Sequence, residues 1–406
     1  MQEKKKILFI SQYFYPETFR GNDIAFHWAE KGHDVHVVTG IPNYPAGKFH
    51  DGYGLLKRRT EVVKGVRVTR LPIFPRGNNK ILLMLNYFSY LFVSWVYILF
   101  HAICNKYDCV FVQQLSPVTM SAAGVLYKKL RKVPLYTWVL DLWPESLTAA
   151  GGIKNKYILG FFNHYVKQEY KHSNKILISS KSFEKSICQY GDYKDKVIYY
   201  PQWAEDGILN SGSIDCDIPT LPDGFKIMFA GAVGEAHGFE CNMQAALLTK
   251  SYKNIKWIIV GDGRRLDWVK TFVNEHQLED TVYTLGRFPV ETMGLFFEKA
   301  DVMLVSLNDS PLFNMYAPAK ISAYMAAKKP IVAVLNGEGK EVVELAKCGW
   351  NVSAGDAEQL ANLVIELSQK DSNDLRNKGE NGFAFYEKFF AKNKSMEKLD
   401  EIMGFK

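Results

Sequence analysis

Cysteine is sparse in this 406-residue chain: six, at 104, 109, 188, 216, 241 and 348, with no CxxC pair. That spacing and density exclude a disulfide framework, and the thiols read as reduced cysteines of a cytosolic protein. A Gx4GK[ST] loop is also missing, as is any His/Asp/Glu cluster at metal-ligand spacing, so a resident metal or other cofactor is not expected. Zinc-finger and RNP-type signatures are lacking too, which argues against a nucleic-acid partner. The apolar run after the basic segment Met1 to Lys6 is only Ile7–Ile10, too short for a signal peptide; it reads as a first strand.

Apolar residues make up 47% and charged residues 23%, the balance of a globular protein, and the length favours two domains. The net charge of +7 conceals an asymmetry. Residues 1–200 carry 28 Lys+Arg against 14 Asp+Glu, or +14, whereas the remainder carries 22 against 29, or −7. A basic half suggests that one domain faces an anionic partner, either a membrane surface or a pyrophosphate. Charge is absent altogether from Ile81 to Asn105, which holds Tyr87, Phe88, Tyr90, Phe92, Trp95, Tyr97 and Phe100. At about 1.5 Å per residue this stretch is long enough to span a bilayer, but spanning would separate the first strands from their partners. Two readings stay open: a buried core helix, or a helix or helical hairpin partly dipping into the interface beside Lys57, Arg58, Arg59, Arg67, Arg70, Arg76 and Lys80.

Short apolar runs alternate with helical patterns, which predicts an α/β protein with parallel sheets. The first series is Ile7–Ile10, Val35–Thr39, Cys109–Gln113, Leu135–Leu140, Lys175–Ser179 and Val197–Tyr200. Residues 201–225, rich in Pro, Gly, Ser and Asp, read as a linker. A second series follows, Lys226–Ala230, Trp257–Val260, Val282–Leu285, Val302–Ser306 and Ile331–Leu335. The expected organisation is a Rossmann-like domain over 1–200, a second over 226–382, and a last helix, roughly Phe383 to Met403, within 383–406. Ligands of open α/β sheets bind beyond the carboxyl ends of the strands, so the turns there form the candidate site.

Several of those turns carry chemistry. Tyr316-Ala-Pro-Ala-Lys320 enters a helix with Lys320 in its first turn and Tyr324 on the same face, a setting that favours a phosphate. Gly231-Ala-Val-Gly234-Glu-Ala-His237-Gly238 is a glycine-rich turn whose N–H groups and His237 suit a diphosphate. Gly261 and Arg287 end neighbouring strands, and Gly21 opens the first βα turn. Asp141-Leu-Trp-Pro-Glu145 follows a buried strand: one carboxylate would orient or deprotonate a hydroxyl, and Trp143 would stack on a sugar ring. Helix capping by Asp141 is the structural alternative. Asn43 and Tyr44 lie in a rigid polar loop, Ile41-Pro-Asn-Tyr-Pro45.

These pieces together resemble glycosyltransferase family 4 of the GT-B fold. The resemblance rests on Ser11-Gln-Tyr-Phe-Tyr-Pro-Glu17, Gly32-His-Asp-Val35, Pro42-Asn-Tyr-Pro45, Asp141-Leu-Trp-Pro-Glu145, Val260-Gly-Asp-Gly263, Leu285-Gly-Arg287, Pro318-Ala-Lys320 and Ala327-Lys-Lys-Pro330. With Leu335-Asn-Gly-Glu-Gly339, they look most like the bacterial O-antigen and capsule branch that includes N-acetyl-L-fucosamine transferases. The resemblance implies two Rossmann-like domains facing across a cleft, with the last helix crossing back to the first. It implies a UDP-sugar donor held by Gly21, Gly231, His237, Gly261, Arg287, Tyr316, Lys320, Glu338 and Glu341. The acceptor would be a polyprenyl-diphosphate-linked saccharide at Asn43, Tyr44 and Trp143, with Asp141 and Glu145 catalytic. It further implies a metal-independent, retaining transfer by an enzyme peripheral to the cytoplasmic face of the plasma membrane. The chain departs from the pattern at Met315 and Ala323, where the family's glutamate pair would fall, and at His237, near the place of the family's lysine. A UDP-sugar epimerase and a non-catalytic sugar-nucleotide-binding protein are the alternatives.

Overall fold

A computed structural model describes residues 3–149, 152–153, 155–209 and 218–405. Cys216 and residues 210–217 of the expected linker lie outside them. The chain divides into two compact units, Met1–Pro201 with Met396–Lys406, and Gln202–Ser395.

The first unit is built on an eight-stranded sheet of β1 (Lys6–Ile10), β2 (Asp34–Gly40), β3 (Thr60–Val63), β4 (Val66–Leu71), β5 (Cys109–Gln114), β6 (Leu135–Val139), β7 (Lys175–Ile178) and β8 (Val197–Tyr199). Its order is β3-β4-β2-β1-β5-β6-β7-β8, parallel except for the β3–β4 hairpin. Ile7 lies opposite Val35 on one side and Cys109 on the other. Ile7 through Ile10 are wholly buried, as expected of a parallel strand covered on both faces. The sequence reading did not anticipate β3 and β4. Arg70, grouped there with a basic surface, is buried, pairs with Glu61 and lies 4.8 Å from the Tyr53 ring centroid.

The uncharged stretch forms one 25-residue helix, Lys80–Cys104, whose start is capped by the Asn79 side chain on the Leu82 N–H at 2.8 Å. Its buried positions, Asn86, Tyr90, Ser94, Ile98 and Ala102, repeat every four residues and form one inward stripe. The stripe is partly polar: Asn86 donates to the Phe74 carbonyl at 2.6 Å and accepts from Gln12 at 2.7 Å. Ile81, Met84, Leu85, Phe88, Phe92, Trp95, Phe100 and Ile103 face outward. The helix is long and apolar enough to cross a membrane by length and composition, with only 22% of its most apolar window buried. One face of the helix thus packs in the core, through Tyr90, Ile98 and Ala102, while the opposite face is exposed.

The second unit holds β9 (Phe225–Ala230), β10 (Ile255–Val260), β11 (Val282–Gly286), β12 (Val302–Ser306), β13 (Ile331–Val334) and β14 (Gly349–Val352). They pair in the order β11-β10-β9-β12-β13-β14, all parallel. The order reverses between β9 and β12, and ligands of such sheets bind in the crevice at that point. The expected helix Phe383 to Met403 is two helices, Ser372–Phe389 and Lys392–Met403, because the backbone turns at buried Phe390 and Ala391. Residues 396–406 belong to the first unit. There Asp400 accepts from Trp28 Nε1 at 3.1 Å and meets His27 at 2.9 Å and Lys31 at 3.1 Å.

Candidate functional site

In the second unit the turns after β9 and β10 lie backbone to backbone. A Cβ on Gly261 would fall 1.8 Å from the Gly231 carbonyl oxygen, so only glycine permits this approach. Val233 N–H bonds to the Asp262 carbonyl at 2.9 Å and fixes the pair. The end of β12 grips the same turn. Ser306 Oγ donates to the His237 carbonyl at 2.7 Å, and Asn308 Nδ2 to that of Glu235 at 2.6 Å. The loop Gly231 to Gly238 is thus held at the switch point of the sheet.

Lys320 enters this setting from the helix Ala319–Ala326, whose N-cap is Pro318. Tyr324, one turn on, accepts from the Ala230 N–H at 3.2 Å and is fully buried, which locks the helix against β9. The Lys320 amine passes over Gly231 so closely that a Cβ there would lie 2.7 Å from Cε and 3.0 Å from Nζ. Nζ is 3.5 Å from the Phe229 ring centroid and is buried, with no hydrogen-bond partner among the described residues. Burial draws its pKa down from 10.5 to about 7. His237 packs edge-on to the same phenyl ring, 5.7 Å between centroids, with Nδ1 also buried and unpartnered among the described residues. Burial, and then the Lys320 charge, lower its pKa to about 3, so the imidazole is neutral. Two buried nitrogens beside a glycine turn and a helix N-terminus suit a ligand rich in acceptor oxygens.

The other donor candidates are placed less uniformly. Glu338 is buried at the start of the helix Glu338–Ala346, while Glu341 is exposed one turn later. Tyr316 is half-buried between a 3-10 turn and Pro318. Arg287 is exposed after edge strand β11, two strands from β9. Gly21 lies in the first turn of a helix rather than in the turn before it. It is buried in the helix Arg20–Glu30, in the other unit, and a Cβ there would strike Gln113 Oε1 at 2.1 Å. The sequence reading missed Asp309, whose carboxylate accepts from Asn314 at 3.1 Å and Asn336 at 3.0 Å and ties together the loops flanking Tyr316.

In the first unit, Asp141 lies beyond β6, beside the switch between β1 and β5. It caps no helix, since the helix that follows begins at Glu145. Ser116 Oγ donates to its carboxylate at 2.8 Å, and Trp143 Nε1 donates to Ser116 Oγ at 3.0 Å. Burial raises the Asp141 pKa, with the Ser116 hydrogen bonds opposing it. Glu145 accepts from Ser186 through one oxygen, and its other oxygen is buried without a partner among the described residues. Trp143 is buried and packs on Phe162 at 5.1 Å, so it positions Ser116 rather than presenting a free stacking face. Asn43 is likewise structural: Nδ2 donates to the Ile41 carbonyl at 2.8 Å and Oδ1 accepts from the Arg76 N–H at 2.9 Å. Tyr44, 40% exposed, remains open. Its backbone, with that of Asn43, is held by the Glu17 carboxylate at 2.7 and 2.8 Å. Among the described residues no group of three or more His, Cys, Asp or Glu is placed to hold a metal ion.

Residues 224–370 match the family model described as "Glycosyl transferases group 1". The chain is 28% identical over 253 residues to "Probable glycosyltransferase WbjE" of Pseudomonas aeruginosa, covering 59% of this chain and 62% of that protein. It is 23% identical over 264 residues to "Amylovoran biosynthesis glycosyltransferase AmsK" of Erwinia amylovora, covering 64% and 63%. The chain thus spans less than two thirds of either relative. Among solved structures it resembles sucrose-phosphate synthase of Thermosynechococcus elongatus, with TM-score 0.74, 15% identity and 98% of each chain covered. It also resembles Anabaena Alr3699/HepE in complex with UDP and glucose, with TM-score 0.68, 14% identity and coverage of 98% and 99%. The two α/β units are those of the GT-B fold.

Proposed function

We propose that this chain, whose residues 224–370 form a glycosyl transferases group 1 domain, is a glycosyltransferase of bacterial polysaccharide biosynthesis. In this reading the second unit binds a UDP-sugar and the first binds the acceptor. The observation that carries it is the Lys320 amine, buried over Gly231 at the switch point of the sheet without a hydrogen-bond partner among the described residues. A diphosphate would satisfy that amine, His237 and the turn N–H groups together. The UDP in the Alr3699/HepE complex and the biosynthetic role named for AmsK support the choice of donor and pathway class.

The acceptor hydroxyl attacks the anomeric carbon, a new carbon–oxygen bond forms, and the bond to the UDP β-phosphate oxygen breaks. UDP leaves with the electron pair, its charge stabilised by Lys320 and the turn amides. The hydroxyl proton passes to a carboxylate, for which Asp141, oriented by Ser116, is the candidate. Glu145 flanks it, Tyr44 contacts the acceptor, and Tyr316, Glu338 and Glu341 line the donor side. Transfer proceeds without a metal, and the hydroxyl approaches the anomeric carbon on the face from which UDP departs, so the configuration is retained. The sugar is an N-acetylated one such as N-acetylfucosamine, and the acceptor is a polyprenyl-diphosphate-linked saccharide. The outward face of helix Lys80–Cys104 seats the enzyme at the cytoplasmic membrane surface, its apolar rings among acyl chains and the neighbouring basic residues at anionic headgroups.

The test is UDP release from a panel of UDP-sugars, with and without a short polyprenyl-diphosphate-GlcNAc. Release that requires the acceptor supports the proposal. Isomerised UDP-sugar without acceptor would make the chain an epimerase, and binding without turnover a sensor.

A further inference from the structure

The first unit holds a cation that the proposed reaction does not use. Arg76 lies in the loop between β4 and the helix Lys80–Cys104. Its guanidinium carbon sits 5.5 Å from the Tyr44 ring centroid and 5.7 Å from that of Tyr87, and Nη1 donates to Tyr13 Oη at 2.9 Å. Among the described residues no carboxylate pairs with it; the groups around it are tyrosines. A guanidinium held by π faces and a phenol oxygen, with no counter-ion, is a ready partner for a phosphate, whose oxygens match its planar fork. Its place is also specific. Tyr13 Oη reaches the Ser116 carbonyl at 3.4 Å, and Ser116 holds Asp141.

A second observation bears on what carries the phosphate. Tyr87 belongs to the helix whose outer face exposes Met84, Leu85, Phe88 and Phe92. Phe74, two residues before Arg76, is exposed beside it, its N–H on Ser89 Oγ at 3.1 Å. An unneutralised cation therefore adjoins a continuous apolar strip, a pattern complementary to an anionic head on a hydrocarbon chain.

We infer that Arg76, caged by Tyr13, Tyr44 and Tyr87, binds the phosphate head of a lipid-linked acceptor whose chain lies along the Phe88 and Phe92 face. The inference rests on the acceptor reading above and assigns the acceptor phosphate its own site, separate from the donor diphosphate at Lys320.

The test uses the full chain and calorimetric titration with farnesyl diphosphate, farnesol and inorganic pyrophosphate, with UDP as control. Farnesyl diphosphate should bind more tightly than either fragment. Arg76→Gln should weaken it at least tenfold, Arg76→Lys should recover part of the loss, and UDP affinity should stay within twofold. Phe92→Glu, on the exposed face, should weaken farnesyl diphosphate but not pyrophosphate, and it decides the matter should Arg76→Gln fail to fold. Pyrophosphate binding as tightly as farnesyl diphosphate would overturn the lipid assignment in favour of a free anion. Unchanged farnesyl diphosphate affinity in both Arg76→Gln and Phe92→Glu would overturn the site, leaving the glycosyltransferase reading intact. That reading fails separately if the wild type shows no acceptor-dependent UDP release.

Discussion

Replacing Lys320 by methionine should make the unliganded protein more stable while costing it nucleotide affinity. The amine is buried, has no hydrogen-bond partner among the described residues and has its pKa drawn from 10.5 to about 7. Below pH 7 both folded and unfolded chains carry the proton, so the folded state bears the whole cost of burying the charge. Between about 7 and 10.5 the unfolded chain alone carries it, so stability rises with pH across that window. At pH 7 the penalty is on the order of 4 kcal/mol. The Phe229 face offers the charged amine about 1–2 kcal/mol without altering the sign. Methionine keeps the length and removes the charge, so the second unit should melt about 5–10 °C higher at pH 7, with the gain shrinking toward pH 10. On the proposed donor site UDP pairs with the protonated amine, so it should bind the wild type less tightly as pH rises above 7, and should lose at least tenfold in the variant. Calorimetric melting at pH 7 and 10, with UDP titrations at both, measures all three effects. A variant that melts lower than wild type at pH 7 and binds UDP within threefold would refute the reasoning.

Other consequences are as direct. Asp141→Asn keeps the Ser116 contact in shape but removes the proposed proton acceptor, so turnover should fall about 10²–10⁴-fold with UDP affinity unchanged; equal losses in both would make Asp141 structural. Phe88→Glu with Phe92→Glu should abolish co-sedimentation with anionic liposomes while thermal unfolding stays within about 2 °C, since both rings are exposed. Excess EDTA should leave turnover within twofold; a loss restored by Mg²⁺ or Mn²⁺ would show that metal assists departure of the diphosphate.

The alternation of strands and helices was legible because parallel strands covered on both faces read as unbroken apolar runs, as Ile7–Ile10 and Val302–Ser306 do. Three strands were not. Val66–Leu71 carries Arg67 and Arg70, and its charge disguised an interior position; Thr60–Val63 hides in the same basic stretch, and Gly349–Val352 is too short and polar to register. Lys320 was recognisable as an early helical lysine, but its isolation from any acceptor depends on Gly231 and Phe229, far away in sequence. Trp143 and Asn43 looked like contacts for a ligand and proved to be internal supports, because burial is decided by Phe162, Ile41 and Arg76 rather than by residue type. Arg76 stood out only as one basic residue among several; the tyrosines that cage it come from three segments.

The most direct check is the mass of the acceptor after incubation with a UDP-sugar and the wild-type chain. The account predicts a polyprenyl-diphosphate saccharide heavier by one glycosyl residue, with UDP released in equal amount. An acceptor of unchanged mass beside free sugar, isomerised UDP-sugar or untouched donor, across the whole panel of UDP-sugars, would contradict it.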